Sequence, residues 1–301
     1  MKLLPQLIKT LNLLNIASAV CVSVFAFIVA VSTGTNAQET AQPVYEVYAV
    51  RYATLANFPV AALVKGADSS RKLDIAMMVW VIRGNGRTVV FDSGFYHDHF
   101  LKQWSPKEFL KASGAIAESG ITPAIHADDV TDVVISHMHW DHADGMDLFP
   151  NARVWVQQDE FNYYTGEAWQ HQDTHGGIDP DDVLTAVKLN LQGRVRLVHG
   201  DAQEILPGIT CYIGGKHTYQ SQFLAVGTRA GIVVLASDNM YLYENLDKHL
   251  PIAQTLDAVS NLAAQDRMKH LAAASRLIIP GHDPAVFERF PRAGERAVRI
   301  D

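Results

Sequence analysis

Four side chains that can bind a metal ion lie within six residues, 137–142, of the segment Ser136–Gly145, SHMHWDHADG. They are His137, His139, Asp141 and His142. Imidazoles combined with a carboxylate, and without a thiolate, suit a borderline divalent cation, with zinc first and iron, manganese or cobalt as alternatives. A polar surface loop is the simpler interpretation, but so dense a cluster directly after an apolar segment favours a metal site.

The segment before this cluster, Val130–Ile135, is rich in β-branched residues and predicts a buried strand. Successive side chains of a strand point to opposite faces, so a loop that begins where the strand ends can aim His137 and His139 the same way. Asp141 and His142 then follow at the turn into the next element. The sequence therefore predicts a metal site at the end of a strand.

Length and composition limit the classes of protein that this chain can represent. Its 301 residues and 48% hydrophobic content are sufficient for one large domain or two small ones. The formal net charge is −7 and no basic cluster is present, which argues against a nucleic-acid groove. The expected partner is a small-molecule substrate. Because Cys21 and Cys211 are the two cysteines of the chain, no disulfide framework is expected.

Residues 1–37 predict a signal peptide. Lys2 and Lys9 precede an apolar run at 16–31, and the segment contains no acidic residue. Ala37 provides a plausible cleavage point before Gln38, which leaves 38–301 as the mature domain. We expect an exported protein, periplasmic or secreted, without membrane association after cleavage; the alternative is an uncleaved amino-terminal anchor.

The remainder of the chain mixes strands and helices. Alternating or β-branched runs predict strands at 44–50, 77–83, 87–92, 130–135, 152–157, 195–198, 209–213, 222–226, 231–236 and 276–279. The helices are predicted at 104–119, 158–164, 181–191 and 256–274, with 51–72 as a loop. Gly84-Asn85-Gly86 predicts a hairpin turn. The chain thus has two halves, each of which combines hairpin strands with helices. This pattern favours an α+β sandwich of two sheets covered by helices.

Three more strand ends offer side chains that would complete a two-metal site. His217 follows Gly214-Gly215, whose lack of side chains permits close approach to a metal. Asp238 follows the strand at 231–236, and His282 follows the strand at 276–279. A single histidine after a strand is usually an ordinary loop residue, but the common placement of these three at strand ends favours convergence on the first cluster.

The other histidines are assigned no metal in the main site. His97 and His99 resemble a metal pair, but no suitable third ligand follows them, which favours a polar turn near the site. His171 and His175 are candidate pocket residues. The others are expected to be surface or structural residues: His126, His199, His249 and His270.

This pattern resembles the metallo-β-lactamase superfamily and, within it, most closely the N-acyl-homoserine lactonase group. The resemblance covers residues 44–283 and implies a four-layer αββα sandwich with two zinc ions at one edge, between the sheets. The ligands that it implies for the first metal are His137, His139 and His217. Those that it implies for the second are Asp141, His142 and His282, with Asp238 as a bridge.

Three further features connect the chain to the lactonase group. Asp92 matches the early aspartate of the superfamily, which orients ligands. Tyr241 lies three residues after Asp238, as in the lactonases, and Gly281-His282-Asp283 fits their final-ligand motif. One departure is clear, because the group commonly has a second histidine four residues after the third ligand, where this chain has Ser221.

The chemistry implied by this ligand set is hydrolysis. Two divalent metals about 3.5–4 Å apart can share a water and lower its pKa, which produces a bridging hydroxide as nucleophile. Asp141 is a candidate catalytic residue as well as a candidate metal ligand. Asp238 would pass a proton to the leaving alkoxide, and Tyr241 would donate a hydrogen bond to the developing oxyanion. Aromatic residues that could contact an acyl chain are Phe58, Trp140, Trp169 and Tyr219, whereas Trp80 is expected in the core.

Opening of a lactone ring, plausibly that of an N-acyl-homoserine lactone (quorum quenching), is the function that this resemblance favours. A thioesterase of glyoxalase II type and a β-lactamase-like hydrolase are alternatives, and a carboxylate at Asp238 disfavours the β-lactamases. A mononuclear-iron persulfide dioxygenase and a non-catalytic binding protein are further alternatives.

Overall fold

A computed structural model describes residues 44–301, which contain twelve strands and eight α-helices. In chain order the strands are β1 (Glu46–Pro59), β2 (Lys72–Gly84), β3 (Arg87–Phe91), β4 (Asp132–Val134), β5 (Arg153–Gln157), β6 (Val195–Val198), β7 (Gln203–Leu206), β8 (Ile209–Ile213), β9 (Gln222–Thr228), β10 (Gly231–Ser237), β11 (Ile278–Pro280) and β12 (Ala297–Arg299). The helices are α1 (Asp98–Trp104), α2 (Ala112–Ala117), α3 (Trp140–Ala143), α4 (Gln158–Tyr164), α5 (Pro180–Leu191), α6 (Tyr243–Asp247), α7 (Ala258–Leu271) and α8 (Val286–Arg289). The predicted signal peptide and its cleavage point lie outside the described residues.

The strands form two sheets. One has seven strands in the order β12-β1-β2-β3-β4-β5-β6, and the other has five in the order β11-β10-β9-β8-β7. Strands β3 and β4 are parallel, and so are β10 and β11. Because parallel strands end at the same edge of a sheet, the loops after β3 and β4 lie side by side, and those after β10 and β11 do the same. These four loops carry predicted site residues.

Burial on both faces of the central strands creates a layered core. In β2, Val79 and Val81 face the helices that cover the first sheet, whereas Trp80 and Ile82 face the second sheet. The cluster between the sheets combines Trp80 with Leu224, Val233 and other residues of the second sheet. Helices α2, α4 and α5 cover the outer face of the first sheet, and α7 covers that of the second. This arrangement confirms the predicted αββα sandwich.

Two predictions about local structure are wrong. Residues 104–119 do not form one helix, because Ser105 adopts a left-handed backbone (φ 46°) that ends α1, and a second helix begins only at Ala112. Between them, Lys107 exchanges two backbone hydrogen bonds with Thr54 of β1, at 3.0 and 2.9 Å. The predicted loop at 51–72 is also wrong in part, since β1 continues to Pro59. In both places pairing with a distant strand decides the backbone conformation.

The hairpin prediction is confirmed, because Asn85 and Gly86 both have positive φ (50° and 67°) between β2 and β3. The sequence did not predict the short strands β7 and β12. Strand β12 lies at one edge of the seven-stranded sheet, and β7 lies at one edge of the five-stranded sheet. Among residues 44–301, no helix combines the length and apolar character needed to cross a bilayer.

Candidate metal centre

The first cluster of ligand atoms is formed by the loops after β4, β8 and β10. His139 Nδ1 lies 3.1 Å from His137 Nε2 and 2.9 Å from His217 Nε2. Asp238 Oδ2 lies 3.7 Å from His137 Nε2 and 3.3 Å from His217 Nε2. The four ligand atoms therefore surround one point, as expected for ligands of a single cation.

The second cluster adds Asp141, His142 and His282 to the same aspartate. His142 Nε2 lies 3.2 Å from Asp238 Oδ2 and 3.5 Å from Asp141 Oδ2. His282 Nε2 lies 3.0 Å from Asp238 Oδ1 and 3.7 Å from Asp141 Oδ2. All predicted ligands are thus brought together, and Asp238 belongs to both clusters.

These separations can be compared with those in a real coordination sphere. Bonds of 2.0–2.2 Å in a tetrahedron place ligand atoms about 3.3–3.6 Å apart. The distances from Asp238 Oδ2 to its three imidazole neighbours, 3.2, 3.3 and 3.7 Å, are close to that range. The geometry fits a divalent cation in each cluster.

A chain of buried hydrogen bonds sets the tautomer of His137. Asp92 carries only acceptors, so the Ser237 hydroxyl donates to Asp92 Oδ2 at 2.7 Å. The Ser136 hydroxyl, 2.9 Å from Ser237 Oγ, must then donate to it and accept from His137 Nδ1 at 2.8 Å. The proton of His137 is therefore on Nδ1, and the lone pair on Nε2 faces the cluster.

The other imidazoles are oriented in the same manner. His142 Nδ1–H donates to Asp92 Oδ2 at 2.8 Å, and His217 Nδ1–H donates to the Gln254 carbonyl at 2.7 Å. His282 Nδ1–H donates to the Ala76 carbonyl at 3.2 Å. Each of these partners accepts a hydrogen bond from Nδ1–H and leaves the Nε2 lone pair free to bind a metal. His139 is oriented differently, because its Nδ1 and not its Nε2 faces the cluster.

Electrostatics indicate that the cluster requires positive charge. Burial and the neighbouring imidazoles hold the pKa of His137 and His139 well below the usual range, which keeps both in the neutral form that binds metals. Burial opposes ionisation of Asp238, but His142 and His282 outweigh it and hold the pKa of that carboxyl well below its usual value. His142 Nε2 and Asp238 Oδ1 are buried without hydrogen-bond partners. Two orphaned acceptors, an imidazole lone pair and a carboxylate oxygen, fit a bound cation.

Backbone geometry at the ends of β3 and β10 supports the close approach. Asp92 and Ser237 both have positive φ (59° and 47°), a conformation that costs a non-glycine residue about 1–3 kcal/mol. Gly281 has a related role, because a Cβ at this position would lie 2.6 Å from Asp238 Oδ1. Asp92 was predicted as an orienting residue and Gly281 as part of the final-ligand motif, whereas Ser237 was not predicted to have a role.

Glu160 is a positioning residue that the sequence analysis missed. Its carboxylate is completely buried and accepts hydrogen bonds from the Met138 N–H at 3.0 Å, the Thr218 hydroxyl at 2.7 Å and the Gln220 N–H at 2.6 Å. It therefore connects the loop of the first ligands to the loop of His217. The sequence signal was weak, since Glu160 lies in a predicted helix where a glutamate is normally solvated.

Ser221, which replaces the second histidine of the lactonase pattern, is also buried. Its hydroxyl donates to Asn239 Oδ1 at 2.9 Å, and the same oxygen accepts from the Gly215 N–H at 2.9 Å. Ser221 therefore stabilises the loop that carries His217 and is not a member of either ligand cluster.

A cleft opens over the clusters. Its polar lining includes His139, Asp141, Asp238, Tyr241 and His282. Its apolar lining consists of Leu55, Phe58, Leu63, Ile75, Met77, Trp104 and Trp140. Phe58 and Trp140 were predicted, whereas Trp169 and Tyr219 do not line this cleft and Trp80 is in the core, as expected.

Tyr241 is buried beside the ligands. Its ring centroid lies 5.6 Å from that of His217 and 5.8 Å from that of His282, and the side chain lines the cleft. Burial and the negative charges of Asp238 and Asp141 raise the pKa of the phenol well above its usual value. The hydroxyl is therefore a hydrogen-bond donor at neutral pH.

The prediction about His97 and His99 is wrong in one respect. Carboxylates do approach them, but they come from Asp144, Asp179 and Asp182, which lie far along the chain. His171 and His175 are not among the lining residues of the cleft, although Gly176 and Gly177 are. The expected surface positions are confirmed for His126, His199, His249 and His270.

N-acyl homoserine lactonases are similar to this chain in sequence and in fold. The N-acyl homoserine lactonase of a Bacillus species is 28% identical over 210 residues, which cover 68% of this chain and 76% of the lactonase. The solved structure of an N-acyl homoserine lactone hydrolase with N-hexanoyl-L-homoserine bound at its catalytic metal centre superposes with a TM-score of 0.64 at 20% identity, covering 81% of this chain and 96% of the other.

A second solved structure, that of the dizinc quorum-quenching lactonase AidC, superposes with a TM-score of 0.61 at 14% identity, covering 80% of this chain and 88% of the other. At such low identity the two superpositions establish the fold alone. The profile of the metallo-beta-lactamase superfamily matches residues 78–282, which include every residue of the two ligand clusters. The chain belongs to the metallo-beta-lactamase superfamily.

Proposed function

We propose that this protein is a metal-dependent lactonase that opens N-acyl-homoserine lactones and holds two divalent cations, zinc in the first instance. The observation that carries the proposal is the convergence of five imidazole lone pairs on one carboxylate, Asp238, which belongs to both clusters. The named lactonases among the relatives support the substrate class. Roles for individual residues follow from their positions.

The cleft supports a substrate with a polar head and an apolar tail. A lactone ring at the polar floor would contact Asp141, Asp238 and Tyr241, and an acyl chain would lie against Phe58 and Trp140. Burial of each methylene of the chain is worth about 0.8 kcal/mol. The acyl chain would thus contribute binding energy while the ring is held at the reacting centre.

Ring opening requires an activated water, an acid for the leaving oxygen and a donor for the oxyanion. When bound, a pair of divalent cations supplies the activated water and polarises the substrate carbonyl. Asp238 accepts a proton and returns it to the leaving alkoxide, because this carboxylate lies at the centre of both clusters. The Tyr241 phenol, which remains protonated, donates a hydrogen bond to the developing oxyanion. Asp141, which belongs to the second cluster and lines the cleft, helps to orient the water.

A substrate panel tests this proposal. Zinc-loaded protein is expected to hydrolyse acyl-homoserine lactones, with a KM that falls by up to about fourfold for each added methylene until the cleft is filled. His139→Ala should abolish turnover, whereas His270→Ala, which removes an exposed imidazole on α7, should not change it. Acid release in a pH-stat assay is the measurement. Turnover of a glutathione thioester or nitrocefin without lactone turnover would contradict the substrate class, and oxygen consumption with one iron per chain would indicate a dioxygenase.

Tyr241→Phe is expected to reduce kcat by up to about 10²-fold, because one oxyanion donor is lost. Zinc content should remain that of the unmodified protein, since the phenol is not in either ligand cluster. Tyr243→Phe is the matched control, because Tyr243 is equally buried but does not line the cleft. An unchanged kcat in Tyr241→Phe would exclude the phenol from the reaction.

We also propose that the protein is exported and that residues 1–37 are removed. The basic residues Lys2 and Lys9, followed by the apolar run, support this proposal. Expression of the full chain in a Gram-negative host should yield periplasmic protein whose amino-terminal sequencing begins at Gln38. Recovery of the full-length chain in the membrane fraction would instead indicate an anchor.

A further inference from the structure

A second group of potential ligands lies outside the main site, where three segments of the chain meet. His97 comes from the loop after β3, Asp144 follows α3, and Asp182 lies in the first turn of α5. His97 Nδ1 is 3.2 Å from Asp144 Oδ1 and 3.7 Å from Asp182 Oδ1. Beside them, His99 Nε2 is 2.6 Å from Asp179 Oδ2. These residues are not members of the two clusters described above.

Four polar atoms of this group are buried and have no hydrogen-bond partner. The side chains of Asp144 and Asp182 are both 0% exposed. Asp144 Oδ2 accepts the N–H groups of Tyr96 and His97, each at 2.8 Å, so that Oδ1 is left facing the gap. His97 Nδ1, Asp144 Oδ1 and both oxygens of Asp182 are buried without a hydrogen bond. Buried polar atoms are nearly always satisfied, so this gap indicates a missing ligand.

The unbalanced carboxylates of this group favour a positively charged ligand. Within residues 44–301, the ion pairs of these aspartates are with histidine alone, and no lysine or arginine reaches them. Burial, followed by the charges of Asp144 and Asp179, raises the pKa of Asp182 to about 9. Carboxylates gathered in this way are stabilised by a proton or by a metal ion.

We propose that His97, Asp144 and Asp182 bind a third divalent transition-metal ion, distinct from the pair in the main site. An imidazole nitrogen with two carboxylate oxygens is a donor set of zinc or manganese, whereas calcium and magnesium favour oxygen alone. Tetrahedral zinc places its ligand atoms about 3.3–3.6 Å apart. The observed 3.2 and 3.7 Å bracket that range. The pair of His99 and Asp179 lies beside these ligands.

The role of this ion is to hold the wall of the cleft. Asp144 lies two residues after His142, and the His97 segment leads into α1. In α1, Phe100 stacks on Trp140 with ring centroids 4.4 Å apart, and Trp104 stacks on the same indole at 5.7 Å. An ion that joins α1, α5 and the ligand loop would therefore keep these aromatic rings in place.

Metal counting tests the proposal. The full chain is stripped with a chelator, reloaded with zinc alone, desalted and analysed by mass spectrometry for metal per folded chain. We expect three zinc ions in the unmodified protein and two in Asp182→Asn, a variant that keeps the shape and loses the charge. Asp181→Asn, at the exposed neighbouring position, is the matched control and should retain three. His139→Ala should lose zinc from the main site and keep the third ion.

Equal zinc content in the unmodified protein and Asp182→Asn would overturn the proposal. The buried Asp182 carboxyl would then be stabilised by a proton and not by a metal ion. If Asp182→Asn does not fold, His97→Gln replaces it, with the same expected loss of one ion. Zinc added to stripped protein should also raise the melting temperature more in Asp181→Asn than in Asp182→Asn. Because the count does not depend on turnover, absence of lactonase activity would leave this result unaffected.

Discussion

Asp238→Asn is expected to lower lactone turnover by about 10²–10⁴-fold, the range for loss of a general acid–base group. The asparagine has nearly the same shape but lacks the negative charge that faces four imidazoles at 3.0–3.7 Å. It can neither balance two cations nor carry the transferred proton. Zinc content should fall below that of the unmodified protein, because Asp238 contributes to both clusters.

The experiment combines steady-state kinetics with metal analysis. Asp201→Asn removes an exposed carboxylate that pairs with Arg267, and it provides a control for the change in net charge. Turnover close to that of the unmodified protein, with two zinc ions still bound in the main site, would remove Asp238 from the mechanism.

Asp92→Ala is expected to destabilise the metal-free fold by about 3–5 kcal/mol, the usual cost of removing one partner of a buried charged network. Asp92 is fully buried and accepts hydrogen bonds from the Ser136 N–H at 2.8 Å, the Ser237 hydroxyl at 2.7 Å and His142 Nδ1–H at 2.8 Å. All three donors would be left without a partner. Urea denaturation in the presence of a chelator measures the free energy of unfolding without the contribution of bound metal.

The isosteric change Asp92→Asn separates stability from metal binding. It should weaken zinc affinity by about 10–100-fold, as is typical when a group that orients metal ligands is lost. Asp128→Ala, at an exposed position, should change neither quantity. If Asp92→Asn binds zinc as tightly as the unmodified protein, the hydrogen-bond chain does not control the tautomers of His137 and His142.

Much of the fold could be predicted because short-range signals were strong. The turn Gly84-Asn85-Gly86 and the β-branched strands carry their own conformational preferences. The helix predicted at 104–119 failed because local preference was overridden by pairing of Lys107 with Thr54, a contact between segments far apart in the chain. The edge strands β7 and β12 were missed because β7 is short and largely exposed and β12 has three residues, which leaves little alternation to detect.

By itself, the sequence determined the types and order of the metal-competent side chains and their positions after strands. A dense HxHxDH motif is sufficient for that, because ligand chemistry depends on side-chain identity and strand ends are locally encoded. Only the tertiary structure decided which nitrogen of each imidazole faces the cluster. It also showed that Glu160 joins two ligand loops and that Asp182 reaches His97. These contacts join residues such as Asp92 and Ser237, 145 positions apart, and such pairings form only when the strands assemble.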